Sequence, residues 1–376
     1  MSSVYLNPSA REWVFESPQA GTEAEVLAFH KTLPEYSETR LHPLPDLAAE
    51  LGLGHVLLKD ESNRFGLPSF KILGASWAVY KALGSRLGLP VSESEISIAD
   101  LGLKAREAGL SLVTCTDGNC GRAISRMAGY LGIPVRVFVP KYIPEDTREL
   151  IRDEGAQVLG VDGDYDDTIP VIQKEAEAQN IVMILDVGLK DFDVVPKYFV
   201  QGYSTMLVES ERQIFEMTRG RPTHAIVPCG AGSIAEAVTE HFKSSERARR
   251  SPPVRVVAVE SSNAACLHES MKRGKSVSVP TEDTIMAGMN CGTLSTAAWP
   301  ILQAGVDASV VITDVESHEA VQELKKRDIL AGPCGAAAIS ALRQACAKSR
   351  EQLALDRNAV VILYSTEGPR KYTIPV

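Results

Sequence analysis

Short, continuously apolar runs rich in β-branched residues alternate with amphipathic stretches through most of this chain, and no other feature restricts its fold as strongly. A strand wetted on one face alternates apolar with polar residues, whereas a run that is apolar at nearly every position needs cover on both faces. The runs are HVLLKDE (from His55), SLVTCT (from Ser111), PVRVFVP (from Pro134), AQVLGV (from Ala156), IVMILD (from Ile181), HAIVPC (from His224), VRVVAVE (from Val254), SVVIT (from Ser309) and AVVILYS (from Ala359). Between them lie helical patterns. In GRAISRMAGYLG, Ile124, Met127, Ala128 and Leu131 share one stripe and Gly132 stands where a helix stops. Such alternation implies an α/β fold with largely parallel sheets flanked by helices. At 376 residues the chain suits two α/β lobes or one large unit. No Gly/Ser/Pro-rich linker separates two halves, so a second lobe is expected as an insertion, crossed more than once.

Composition removes several function classes. The net charge is −9 and no long run of Lys or Arg occurs, a poor surface for nucleic acid or an anionic membrane. The start, MSSVYLNPSAREWVF, lacks a basic segment followed by an apolar one, and no apolar run approaches the ~20 residues of a membrane span. Seven cysteines at irregular spacing, with no CxxC and no HExxH, point to reduced thiols in a cytoplasmic protein and to no metal site. The charged stretch KSSERARRSPP (from Lys243) reads as a solvated helix end.

In open parallel sheets ligands gather beyond the carboxyl ends of the strands. Four such turns carry polar residues: Asp117-Gly118-Asn119, Asp186, Gly230-Ala231-Gly232-Ser233 and Ser365-Thr366-Glu367-Gly368, and together they could line one cleft. The glycine turn suits an anion held by main-chain N–H groups at a helix start, with Ser233 adding a hydroxyl. The same residues extend to GxGxxA through Ala235, and VRVVAVE ends on Glu260, which is equally the pattern of a nicotinamide-dependent oxidoreductase with a ribose-binding acid. A tight turn with no ligand is the plainer alternative. Lys71 sits among Phe70, Ile72, Leu73 and Ala75 at an expected helix start. Burial and the helix N-terminus should both lower its pKa and keep it partly neutral, as imine formation requires, although a lysine in an apolar run is more often a surface residue.

Taken together, KDESNRFGLPSFK (from Lys59), TDGNCGR (from Thr116), QGYSTM (from Gln201), MAGMNCG (from Met286) and STEG (from Ser365) resemble the fold-type II pyridoxal-phosphate enzymes, the group of tryptophan synthase β and threonine dehydratase. Within that group the blocks are most similar to the diaminopropionate ammonia-lyases, from about Leu41 to Gly368. The resemblance implies a tryptophan synthase β-like fold of two lobes. The larger, 1–85 plus 205–376, would bind the cofactor, and the smaller, 86–204, would be inserted. It implies pyridoxal 5'-phosphate carried as a Schiff base on Lys71, with Phe70 flanking the ring and Asn119 bonding its phenolic oxygen. The amides around Gly230, Ala231, Gly232 and Ser233 would bind the phosphate, and Ser365 would face the pyridine nitrogen. Asp117 and Asp186 match the acidic pair that abstracts the α-proton from either enantiomer and attracts a cationic β-ammonium. For these two the plainer readings are a helix N-cap and a strand-end turn residue. The implied reaction is α,β-elimination from a small amino acid, foremost 2,3-diaminopropionate to pyruvate and ammonia, in a homodimer.

Three positions depart from the family pattern. Cys120 replaces an expected His. Ala331-Gly332-Pro333-Cys334-Gly335-Ala336 lacks an acid and a hydroxyl, and Pro369-Arg370-Lys371 follow STEG where acidic residues are usual. Another β-leaving group, as in serine or threonine dehydratases, or β-replacement as in cysteine synthases, therefore stays open. The resemblance also places Cys266 and Cys291 near a mobile loop over the site, where a disulfide would stiffen it, against the reducing conditions of a cytosol.

Overall fold

A computed structural model describes residues 3–16, 21–89, 96–116, 118–163 and 165–376. In chain order the strands are β1 (Val4–Leu6), β2 (Leu41–Pro43), β3 (His55–Asp60), β4 (Ser111–Cys115), β5 (Val135–Pro140), β6 (Gln157–Val161), β7 (Ile181–Met183), β8 (His224–Pro228), β9 (Arg255–Ser261), β10 (Ala308–Ile312) and β11 (Val360–Ser365). Each of the apolar runs read from the sequence forms a strand. β1 and β2 do not show in the sequence pattern, being three-residue strands paired antiparallel at the two edges of a sheet.

The chain divides into two compact units. One comprises Met1–Ala20, Ser37–Phe70 and Ser204–Val376, the other Gly21–Tyr36 and Lys71–Tyr203. In this division the helix Lys71–Arg86 falls in the inserted segment, since Gly74 on it packs against Phe199 and Tyr203 of the same unit. The outlying piece Gly21–Tyr36 joins it because Phe29 packs on Trp77 and Tyr80 of that helix, with ring centroids 5.2 and 4.7 Å apart.

The larger unit holds a seven-stranded sheet in the order β1-β10-β9-β8-β11-β3-β2, whose five inner strands are parallel. β8 and β11 are buried at every position, which is why their sequences carry no polar alternation. Because β8 lies between β9 and β11, the turn after β8 and the ends of β9 and β11 emerge side by side on one edge. This unit also buries a balanced set of charges. Lys59 donates to Glu209 at 2.9 Å, to the Thr39 carbonyl at 2.9 Å and to Gln213 at 3.0 Å. Arg64 grips Glu61 and Glu209 through two hydrogen bonds each, at 2.6–2.9 Å. Burial works against both cations, and it pushes Lys59 below its ordinary value. Burial would also raise Glu209, but Arg64 and Lys59 more than offset it and draw the carboxylate down to about 2. The network ties the segment after β3, which leads to Phe70, onto the helix Ser204–Thr218.

The smaller unit holds a four-stranded, wholly parallel sheet in the order β6-β5-β4-β7. The helix Lys71–Arg86 is buried on nearly all sides. It crosses the helix Val194–Gly202 at a distance that only glycine permits. A Cβ on Gly74 would lie 2.5 Å from the Tyr203 ring, and one on Gly202 would lie 2.4 Å from the Leu73 carbonyl.

Candidate active site

In the smaller unit, neighbouring strands bring two polar turns together. β4 leads through Thr116 to the helix Asn119–Leu131, placing Asn119 at its first position. The Thr116 hydroxyl accepts the Gly118 and Gly121 N–H groups at 3.0 and 3.1 Å, so a residue outside the helix closes its start. β7 stops at Met183, and buried Ile184 and Leu185 carry the chain to Asp186. Asp117 lies outside the described residues.

Lys71 opens its helix and donates to Asp186 Oδ2 at 2.6 Å, with 22% and 11% of the two side chains exposed. Burial disfavours the ammonium, but Asp186, with Tyr203 and Cys120 on the same side, together outweigh it. The amine is therefore held well above the ordinary lysine range. This corrects the sequence expectation of a lowered pKa: desolvation is the largest single influence, yet a carboxylate in hydrogen-bond contact and its neighbours together exceed it. Lys71 is a cation with a proton acceptor in direct reach. Tyr203, fully buried, drew no functional reading from the sequence although it lies in the QGYSTM block. Its signal was the glycine pair that lets its ring reach the Lys71 helix.

In the larger unit, the turn after β8 is built from main chain. A planar trans peptide points its carbonyl and the following N–H in opposite directions. The Gly230 carbonyl faces the Cys229 and Cys266 thiols at 3.6 and 3.8 Å. The Ala231 carbonyl accepts from Ser295 N–H, and that of Gly232 from Glu236 N–H, both at 2.8 Å. With three successive carbonyls drawn into the protein, the amides of Ala231, Gly232 and Ser233 point the other way, and among the described residues they donate to nothing. Those amides stand at the start of the ten-residue helix Ser233–Phe242. A Cβ on Gly230 would meet the Gly288 carbonyl at 3.0 Å, and Gly232 holds a left-handed φ of 108°. An anion is what such a turn accepts.

Ser365, at the end of β11 and fully buried, has an Oγ with no hydrogen-bond partner among the described residues. A buried hydroxyl left unpaired costs free energy unless a ligand completes it. Phe70 is buried, and its N–H donates to the Thr366 carbonyl at 3.4 Å, beside Ser365. Within the larger unit, the anion cradle suits a phosphate and the orphaned hydroxyl suits a polar ring atom of a bound ligand.

Glu260 is not a ribose ligand. It is fully buried, and its two oxygens accept the Leu267 and His268 N–H groups at 2.7 Å each, capping the helix Cys266–Arg273. Burial pushes its carboxyl up to about 8, against the pull of those amides. Cys266 and Cys291 are unbridged, as are the other five cysteines. The departures from the family pattern have local reasons. Pro333 is the first residue of the helix Pro333–Leu353, where its missing N–H costs nothing. Cys334 N–H donates to the Glu367 carboxylate at 3.1 Å, so an acid from STEG caps that helix. Cys120 is buried and contributes to the field at Lys71. Pro369, Arg370 and Lys371 are exposed.

Residues 32–366 match the family model described as pyridoxal-phosphate dependent enzyme. Diaminopropionate ammonia-lyase of Salmonella typhimurium is 34% identical, covering 92% of this chain and 88% of that protein. The protein of the same name from Escherichia coli K12 is 30% identical, with coverages of 90% and 86%. The crystal structure of the Escherichia coli enzyme with an aminoacrylate–PLP azomethine reaction intermediate superposes with a TM-score of 0.84 at 27% identity, over 97% of this chain and 93% of that one.

Proposed function

This chain belongs to the pyridoxal-phosphate-dependent enzymes, and we propose that it converts 2,3-diaminopropionate and water to pyruvate and two ammonia. The observation that carries the reading is the Lys71 ammonium seated 2.6 Å from Asp186 at the first position of a buried helix. Lys71 would hold the cofactor's aldehyde carbon, the amides of Ala231, Gly232 and Ser233 its phosphate, and Ser365 its ring nitrogen. Phe70 would flank the ring and Asn119 would bond its phenolic oxygen. When bound, the cofactor supplies an electron sink for the pair released with the α-proton.

Asp186 takes the proton that Lys71 must lose before its nitrogen can attack an aldehyde. In the substrate complex the same carboxylate is a base for the α-proton, and Asp117 would serve the opposite face and the other enantiomer. A carboxylate beside the β-amine also keeps that amine protonated, so it departs as neutral ammonia. The enamine released takes up water to give pyruvate and the second ammonia. Ser365, a neutral hydroxyl rather than an acid, would limit protonation of the ring nitrogen and favour quick elimination.

The enzyme is proposed to act in the cytoplasm as a homodimer. Seven unbridged thiols support the first, and the family resemblance supports the second. Among the described residues no helix is long and apolar enough to cross a membrane. The decisive assay incubates purified protein and pyridoxal phosphate with each diaminopropionate enantiomer, serine, threonine and cysteine derivatives, and measures keto acid. Pyruvate from diaminopropionate, lost in Lys71→Ala, is the expected result. Keto acid from serine or threonine alone would transfer the proposal to a dehydratase, and product only with an added nucleophile would indicate β-replacement.

A further inference from the structure

Three peptides of the turn after β8 are oriented through their carbonyls, but not equally well. Two accept strong main-chain N–H donors at 2.8 Å. The first, Gly230–Ala231, is held by thiols, which are weak donors, and glycine leaves that peptide freer to rotate than its neighbours. Because a planar peptide ties the Gly230 carbonyl to the Ala231 N–H, rotation there would swing the first anion-binding amide away.

The support behind those thiols is Glu260. Its two carboxyl oxygens satisfy two N–H groups at the start of the helix Cys266–Arg273, and Cys266 is that helix's first residue. Cys266 is fully buried, and its Sγ lies 3.8 Å from the Gly230 carbonyl, beside the Cys229 Sγ at 3.6 Å. Burial holds both thiols well above the ordinary range, so they keep their protons, and the single S–H of Cys266 lies between the Glu260 carboxyl and the Gly230 carbonyl. β8 and β9 are adjacent and parallel, with Pro228 opposite Val259, which puts Glu260 beside the turn it would steady.

We infer that Glu260 and Cys266 are positioning residues for the phosphate-binding turn: the carboxyl group fixes the start of the helix, and the thiol on that helix fixes the Gly230 carbonyl so that the Ala231 amide faces the cofactor's phosphate. The inference rests on the reading of Gly230–Ser233 as the phosphate site. Neither residue touches the cofactor. The acid that the sequence offers as a ribose ligand thus serves the same turn from behind.

The test compares equilibrium binding of pyridoxal 5'-phosphate and of pyridoxal, which lacks the phosphate, to cofactor-free full-length protein, for wild type, Cys266→Ala, Cys266→Ser, Glu260→Gln and Glu260→Ala. Cys266→Ala and Glu260→Ala should weaken the phosphate ester roughly threefold to tenfold, the range of one neutral hydrogen bond, and leave pyridoxal unchanged. Cys266→Ser keeps a donor and should restore much of the loss. Glu260→Gln keeps one acceptor and should fall between wild type and Glu260→Ala. The phosphorus resonance of bound cofactor should move in Cys266→Ala and return in Cys266→Ser. Equal weakening of both ligands, or none, would overturn the inference while wild type still prefers the phosphate ester. A wild type with no such preference would sink the phosphate site itself and the inference with it.

Discussion

Lys59 and Lys71 lie in one sequence block, and each donates to one carboxylate at short range, Lys59 to Glu209 at 2.9 Å and Lys71 to Asp186 at 2.6 Å. Their settings differ. Lys59 is fully buried, shares Glu209 with Arg64, and is also tied to a carbonyl and an amide oxygen. Burial drives its pKa down, with the like charge of Arg64 adding to that. Lys71 keeps 22% of its side chain exposed and is drawn upward by Asp186 despite burial. Proximity of a lysine to an acid is therefore not enough for chemistry. A pair saturated by fixed partners clamps the fold, and a pair with one end open to solvent can exchange a proton and receive a ligand.

The most severe way to break this contrast is to truncate the open lysine. Lys71→Ala should lower diaminopropionate turnover by about four orders of magnitude or more, since a covalent group has no substitute, while thermal melting stays close to wild type. A melting loss as large as that of Lys59→Ala would make both lysines structural. Asp186→Asn should cost about 10²- to 10⁴-fold in turnover, the range for a general base. It should also shift the pH midpoint for cofactor uptake by the cofactor-free protein downward, because the carboxylate that raises the Lys71 amine is gone. An unmoved midpoint would assign that field to other groups.

On the clamped side, Glu209→Ala leaves Lys59 and Arg64 short of an anion in the interior. It should destabilise the protein by about 3–5 kcal/mol in urea unfolding, with KM for substrate nearly unchanged. Acid should act on the same unit. His224, buried and bonded to the Leu353 carbonyl at 2.7 Å, is held down to about 4 by burial. Its neutral form is the folded one, so stability falls as pH drops from its unfolded value near 6.5 through about 4. Glu209, held at about 2, contributes stability above about 4.5 that disappears as pH falls through about 2. Each shift corresponds to about 3 kcal/mol in total. Unfolding free energy that is flat from pH 7 to pH 4 would show that His224 is accessible to water.

Much of this was legible in the residues. Nine apolar runs announced nine strands; burial on both faces accounts for the missing polar alternation in strands such as β8 and β11, whereas β6 and β7 are only partly covered. Lys71, Asn119, Gly230, Ser233 and Ser365 could be singled out because each follows or opens an element where parallel sheets present their ligands. Glu260 misled for the same reason. Its place at the end of a strand fits a ribose-binding acid, and only the position of the helix Cys266–Arg273 shows its oxygens already occupied. The direction of the Lys71 pKa shift was misjudged because local sequence displays burial and the helix start but not an acid 115 positions further along.

By itself, then, the sequence determined the alternation of strands and helices, the parallel pairing that follows from it, and the glycines and the lysine that any ligand would need. These depend on neighbours a few residues away, where periodicity and backbone freedom operate. Only the tertiary structure decided which lysine is sealed and which is open, which acid caps a helix and which accepts a proton, and which way the amides after β8 point. Those depend on distances of a few ångströms between residues far apart in the chain, and at that range electrostatics and hydrogen bonding outweigh any local preference.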